Sequence, residues 1–211
     1  MIVQTLILDF DMTLVNSLPA ITRGLNKMAR HFKLPEVTED DTRRVISLET
    51  RDFWQSLWGY YDEAWADFFL KEVADREKYY LEMTPGAEDL LKRLKSGGVS
   101  LGLATNRNNA WAALASVGLA AYFDTAVGSG DVNLGKPAPD MLFLAMDQLH
   151  ADPGQTIYVG DAVFDMLAAK RAGIRAIGLL EGGTSKEELL EAGAWQVRQN
   201  LSDLNDLLQS L

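Results

Sequence analysis

The pattern of apolar and polar positions changes period along this chain, and the changes mark its parts. Ile2 to Leu8 is a short run rich in Ile, Val, Leu and Thr, which reads as a buried strand. Val15-Asn16-Ser17-Leu18-Pro19 breaks that run and starts a helix, with Ser17 as N-cap and Pro19 in the first turn. Leu25, Met28, Ala29 and Phe32 then follow helical spacing. Thr38 before Glu39, Asp40 and Asp41 marks another helix start. From Ala20 to Met83 no strand pattern is convincing. Phe53, Trp54, Trp58, Tyr60, Tyr61, Trp65, Phe68, Phe69, Tyr79 and Tyr80 crowd this stretch and predict a small helical core.

Thr84-Pro85-Gly86 is the next boundary, with Thr84 read as the cap of a helix carrying Ala87, Leu90, Leu91 and Leu94 on one face. Beyond Gly97-Gly98 strands and helices alternate. Strands are predicted over Val99 to Ala104, Thr125 to Val127, Thr156 to Val159 and Ile174 to Leu180, with a weak one over Trp195 to Val197. Helices are predicted over Asn109 to Val117, Ala138 to Leu149 and Phe164 to Ala172, after Ser185, and over Leu201 to Leu208. This alternation implies an α/β fold, a Rossmann-like parallel sheet with helices on both faces. The predicted core is residues 1–15 and 84–211, and a small all-helical domain, 16–83, is inserted after the first strand.

Composition narrows the functions available. The chain has 211 residues, 47% of them apolar, ample for a core. It holds no Cys, which excludes thiol catalysis, thiolate metal sites and disulfides. No run approaches the roughly 20 apolar residues of a membrane span, and no signal peptide is visible, so a cytoplasmic protein is expected. The net charge of −10 argues against nucleic-acid and anionic-membrane partners. An anionic ligand would need a metal or a few placed cations to offset that charge.

The polar residues at the predicted strand ends form the candidate site. Asp9 and Asp11 follow the first strand, Thr105 and Asn106 the second. Lys136 stands between Gly135 and Pro137, and Asp161, with Asp165 four residues on, follows a later strand. In a parallel sheet these ends open on one edge, where ligands bind. Four converging carboxylates repel one another unless a cation joins them. Oxygen ligands without His or Cys select Mg²⁺ or a similar hard ion. The acids exceed what one Mg²⁺ needs, which leaves one for nucleophilic attack on phosphorus and one for acid–base work. Lys136 would offset phosphoryl charge and Thr105 would hydrogen-bond the phosphoryl oxygens. Arg107 either faces this crevice or caps a local group.

Asp9-Phe10-Asp11-Met12-Thr13, Thr105, Lys136, and Gly160-Asp161 with Asp165 together resemble, in order and over the whole chain, the four motifs of the haloacid dehalogenase superfamily. The similarity is to its phosphoglycolate-phosphatase-like branch, which carries a helical cap after the first motif. The resemblance implies Asp9 as nucleophile and Mg²⁺ ligand, and Asp11 as acid/base with its backbone carbonyl on the metal. It implies Thr105 and Lys136 as phosphoryl binders assisted by Asn106, Asp161 as a metal ligand, and Asp165 as a metal-site acid. Arg51, beside a segment that resembles the one reaching over the family's site, is the candidate contact for a substrate carboxylate or second phosphate. Met12 stands where the family has Gly, and Asn16 where a related Asp is common.

The expected activity is Mg²⁺-dependent hydrolysis of a small phosphorylated metabolite through an aspartyl-phosphate on Asp9, by a monomer or homodimer. A dehalogenase of the same fold is disfavoured, because a halide leaving group needs no acid such as Asp11. A phosphosugar mutase remains an alternative. So does, from another class, a phospho-accepting signalling or partner-binding protein without turnover; receivers of that class are shorter, lack an inserted helical domain and place the phosphorylated Asp on a middle strand.

Overall fold

A computed structural model describes residues 3–46, 48, 50–72 and 80–204. The chain divides into two compact units, Met1–Val15 with Met83–Leu211, and Asn16–Glu82. In the first unit six parallel strands form one sheet: β1 (Thr5–Leu8), β4 (Ser100–Thr105), β5 (Thr125–Gly128), β6 (Thr156–Gly160), β7 (Arg175–Leu179) and β8 (Gln196–Arg198). Their order is β5-β4-β1-β6-β7-β8. The chain builds outward from β1 to one edge through β4 and β5, then crosses to build the other edge through β6, β7 and β8. β1 is therefore the point where the winding reverses, the place beyond the strand ends where sheets of this kind bind ligands.

The register sets the site. Leu8 pairs with Leu103 of β4 and Val159 of β6, and the Asp9 amide still donates to Val159 O at 2.8 Å. Asp9, Thr105 and Asp161 therefore leave three adjacent strands almost level. β1, β4 and β6 are apolar and buried throughout most of their length, as strands covered on both faces must be. On one face Ile7, Ala104 and Tyr158 pack with Met141, Leu142 and Ala145 of α7 (Asp140–Leu149), Met166 and Ala169 of α8 (Val163–Ala172), and Leu189 of α9 (Lys186–Ala192). The opposite face buries Leu6, Leu8, Leu101 and Leu103, with Leu90 and Leu91 of α5 (Ala87–Ser96) and Leu114 of α6 (Ala110–Ser116).

The second unit holds α1 (Leu18–Phe32), α2 (Glu39–Val45), α3 (Thr50–Trp58) and α4 (Glu63–Glu72). Its core is Leu25, Met28, Val37, Trp54 and Trp65. The aromatic rings pack on one another there, with Trp54 stacked on Trp58 at 5.8 Å and Trp58 edge-on to Trp65 at 5.5 Å. The chain leaves and regains the sheet unit through β2 (Val15–Asn16) and β3 (Glu82–Met83), which pair with each other. Two-residue strands are too short to register as a period. No helix among the described residues is long and apolar enough to cross a membrane.

Two local expectations are corrected. Ser17 occupies an N-cap position, but its backbone is helical and its hydroxyl makes no cap bond; Asn16 Oδ1 takes the Leu18 amide at 3.2 Å instead. Thr84 is not the cap of α5: Gly86 is, at φ 82°, and the Thr84 carbonyl accepts the Ala87 amide at 3.0 Å in the turn before it. The weak strand expected over Trp195 to Val197 is present, shifted by one residue, as Gln196–Arg198 on the edge beside β7. Residues 205–208 of the helix expected over Leu201 to Leu208, and Tyr79 of the aromatic run, lie outside the described residues.

Met12 adopts φ 53°, a left-handed conformation, with its side chain only 5% exposed. The position thus asks for what Gly provides while the core takes the Met side chain. Emptying the site costs about 2–5 kcal/mol. Relieving the left-handed strain returns about 1 kcal/mol. Met12→Gly and Met12→Ala should both lower the urea midpoint, with Ala the more damaging; an equal or smaller loss for Ala would show that the left-handed backbone carries no strain.

Candidate active site

Asp9 sits at the carboxyl end of β1 with 7% exposure, and Lys136 reaches it from the loop before α7. The three protons of the Lys136 ammonium are all committed: to Asp9 Oδ1 at 2.6 Å, Asp165 Oδ1 at 2.7 Å and the Tyr158 hydroxyl at 2.9 Å. The Tyr158 oxygen also lies 2.9 Å from Asp165 Oδ1 and 3.1 Å from Ala104 O, so its single proton goes to one of these. Asn106 fixes the Lys136 loop. Its Oδ1 accepts the Lys136 amide at 2.9 Å and its Nδ2 donates to Lys136 O at 3.3 Å. The phosphoryl-site residue expected of the sequence therefore has its carboxamide turned to the lysine backbone.

Asp165 stands at the third position of α8, where its Oδ2 accepts the amides of Asp161 at 3.1 Å and Ala162 at 3.0 Å. With Lys136 and Tyr158 on Oδ1, both oxygens are engaged. A Cβ at Gly160 would come within 2.4 Å of the Asp165 carboxylate, so this approach depends on glycine there. Asp161, 4% exposed, has a different environment. Thr13 Oγ1 is 3.4 Å from its Oδ1, at the limit of a hydrogen bond, and the backbone of Gly182 presses on its other oxygen so closely that a Cβ there would lie 1.7 Å away.

These environments separate the acids. Burial pushes Asp9 up, and the charges of Asp165 and Asp11 add to that; Lys136 opposes them, leaving the pKa at about 7. Asp161 is pushed well above the carboxylate range by burial first, then by Asp165 and Asp9. Burial alone would lower Lys136, but Asp165 and Asp9 outweigh it and raise it. Buried acids this reluctant to ionise are short of positive charge. Asp9, Asp161 and Asp165 each offer an oxygen within 4.8 Å of the others, the grouping a hard cation would need. Because Asp165 already receives Lys136 and the amides of Asp161 and Ala162, Asp9 and Asp161 fit a metal directly and Asp165 fits the role of holding Lys136 and the backbone around it.

Asp11 is more exposed than Asp9. Arg107 grips it with Nε to Oδ2 at 2.8 Å and Nη2 to Oδ1 at 2.7 Å. Thr105 is 1% exposed, and its hydroxyl accepts the Arg107 amide at 3.2 Å. Arg51 belongs to the helical unit, exposed on α3 with its guanidinium carbon 5.4 Å from the Tyr61 ring centre; Ser47 and Glu49 of the neighbouring segment lie outside the described residues. Sequence reasoning missed Tyr158, which reads as one more apolar strand residue. The available signal was its hydroxyl, since a buried tyrosine needs a polar partner.

Comparison with known proteins agrees with this arrangement. The family model for haloacid dehalogenase-like hydrolases matches residues 6–179. Phosphoglycolate phosphatase 1 of Pseudomonas aeruginosa is 31% identical, covering 93% of this chain and 76% of its own. Phosphoglycolate phosphatase of Rhodospirillum rubrum is also 31% identical, covering 97% and 90%. The crystal structure of a hydrolase from Pseudomonas syringae is similar at a TM-score of 0.80, with 25% identity over 99% of both chains. With the match spanning every strand that carries a proposed site residue, the chain belongs to the haloacid dehalogenase-like hydrolase family.

Proposed function

We propose that this hydrolase is a Mg²⁺-dependent phosphatase acting on a small phosphorylated metabolite, a phosphoglycolate-like monoester, through an aspartyl-phosphate on Asp9. The observation that carries the reading is the placement of Asp9: a nucleophile candidate at the β1 end, bonded to Lys136 at 2.6 Å and grouped with Asp161 and Asp165. The two relatives named phosphoglycolate phosphatase support the phosphoester class.

In the first step an Asp9 oxygen forms a bond to phosphorus while the bond from phosphorus to the ester oxygen breaks. Asp11 gives that departing oxygen a proton. In the second step water attacks the same phosphorus, Asp11 takes the proton back, and the bond to Asp9 breaks with release of phosphate. Lys136 and Thr105 hold the phosphoryl oxygens in line. Mg²⁺, when held by Asp9 and Asp161, supplies charge that offsets the phosphoryl oxygens and the acids together. Asp165, Tyr158 and Asn106 fix Lys136 so that little reorganisation is needed.

Phosphate release from p-nitrophenyl phosphate should require Mg²⁺, vanish with EDTA and return on adding Mg²⁺ back. Turnover that persists in EDTA would reject the metal. The acids also predict a pH dependence. Folding raises Asp9 from 3.8 to about 7, so between those values the folded chain keeps a proton the unfolded chain has lost. This contribution to stability is complete below 3.8 and is lost as the pH rises through 7. A bound cation offsets that loss, and protons compete with it. The Mg²⁺-induced rise in Tm should therefore be larger at pH 8 than at pH 5.5; an equal rise at both would detach the metal from these carboxylates.

A further inference from the structure

The mechanism above uses Asp11 but leaves its partner unexplained. Arg107 meets Asp11 in a two-pronged geometry, at 2.7 and 2.8 Å, which is the geometry a guanidinium offers to any carboxylate. The pair is also open: the two side chains are 22% and 27% exposed, against 4% and 9% for Lys136 and Asp9. An ion pair in contact with water exchanges readily, whereas the buried one is fixed.

The backbone under Arg107 is held, and its side chain is partly exposed. The Arg107 amide donates to Thr105 Oγ1, and its carbonyl accepts the Ser129 amide at 2.9 Å. The guanidinium carbon lies over the Phe10 ring, 5.1 Å from its centre. Arg107 thus occupies both oxygens of Asp11, the group that has to reach the ester oxygen of the substrate. A productive substrate must draw it aside.

We propose that Arg107 is the specificity-determining residue of the site: it exchanges Asp11 for a second anionic group of the substrate, a carboxylate close to the ester oxygen. This rests on the phosphatase reading and assigns to Arg107 the selection, within it, of phosphomonoesters that carry a carboxylate. The second anion must be close because Arg107 already touches the acid that serves the leaving oxygen. The chain carries a net charge of −10 and Lys136 is assigned to the phosphoryl group, so a doubly anionic substrate needs a second placed cation at this edge. A substrate without the second anion leaves Arg107 on Asp11 and reacts against that competition.

The test compares two probes in Mg²⁺: phosphoglycolate, which carries the carboxylate, and p-nitrophenyl phosphate, which does not. The readout is the ratio of their kcat/KM values. In Arg107→Ala and Arg107→Gln the ratio should fall by about tenfold or more, chiefly through a higher KM for phosphoglycolate, and Arg107→Lys should recover part of it. A ratio within about twofold of the parent in both neutral variants would overturn the proposal, because a residue that only positions Asp11 depresses both substrates alike. If the unmodified protein releases phosphate from neither probe, the phosphatase reading itself fails and the specificity role falls with it.

Discussion

Asp9→Asn is expected to remove turnover, by about 10⁴-fold or more, while the protein stays folded. The amide keeps the shape of the carboxylate and still accepts from the Lys136 ammonium, but it cannot form the bond to phosphorus. Stability should hold or rise, because the Asp9 carboxylate is buried and resists ionisation in the fold. The pairing of lost activity with an unchanged or higher Tm distinguishes a missing nucleophile from a damaged fold. Activity near that of the parent would pass the nucleophile's role to another acid.

Lys136→Met is expected to damage both function and fold. The ammonium answers Asp9, Asp165 and Tyr158 at once, and each is buried. Removing one partner of a buried ion pair costs about 3–5 kcal/mol, because the other charge is left alone. Loss of a placed cation at the phosphoryl group should cost about 10²–10³ in kcat. The Asp9 pKa should move further up, since Lys136 is the largest influence holding it down. Added Mg²⁺ should restore part of the stability through the same acids without restoring kcat. A variant that keeps both Tm and kcat would show that Lys136 serves neither the chemistry nor the fold.

The sequence displays the sheet well because strands buried on both faces read as continuous apolar runs, and those of β1, β4 and β6 end abruptly in polar residues. Parallel pairing then brings Asp9, Thr105 and Asp161 to one edge without further information. What a linear reading lacks is the direction of each side chain once it arrives. Asp11 and Asp165 look alike as isolated acids, yet one meets a partly exposed guanidinium and the other closes a buried network. Asn106 adjoins the phosphoryl-site threonine in the chain, but its amide turns to the Lys136 loop. Tyr158 is silent in the pattern because its ring serves the core and its hydroxyl alone serves the site.

Local backbone departs from the pattern for similar reasons. Ser17 has the residue type of an N-cap, but its helical backbone directs the hydroxyl elsewhere, where it is buried without a hydrogen-bond partner. Gly86 replaces Thr84 as the cap of α5 because the turn needs a left-handed residue. Met12, the residue that departs from the family motif, shows the same left-handed demand at φ 53° and satisfies it at a strain. None of these conformations is encoded in a hydrophobic period; each follows from how the chain must bend between elements already fixed.

Acid quenching of the turning-over protein tests the covalent bond to Asp9 most directly. With excess phosphoglycolate and Mg²⁺, rapid quenching followed by borohydride reduction should convert the trapped aspartyl-phosphate at position 9 to homoserine, seen as a mass change in the peptide that contains it. Turnover with no modified acid, or a modification mapped to Asp11, Asp161 or Asp165 instead, would contradict the account.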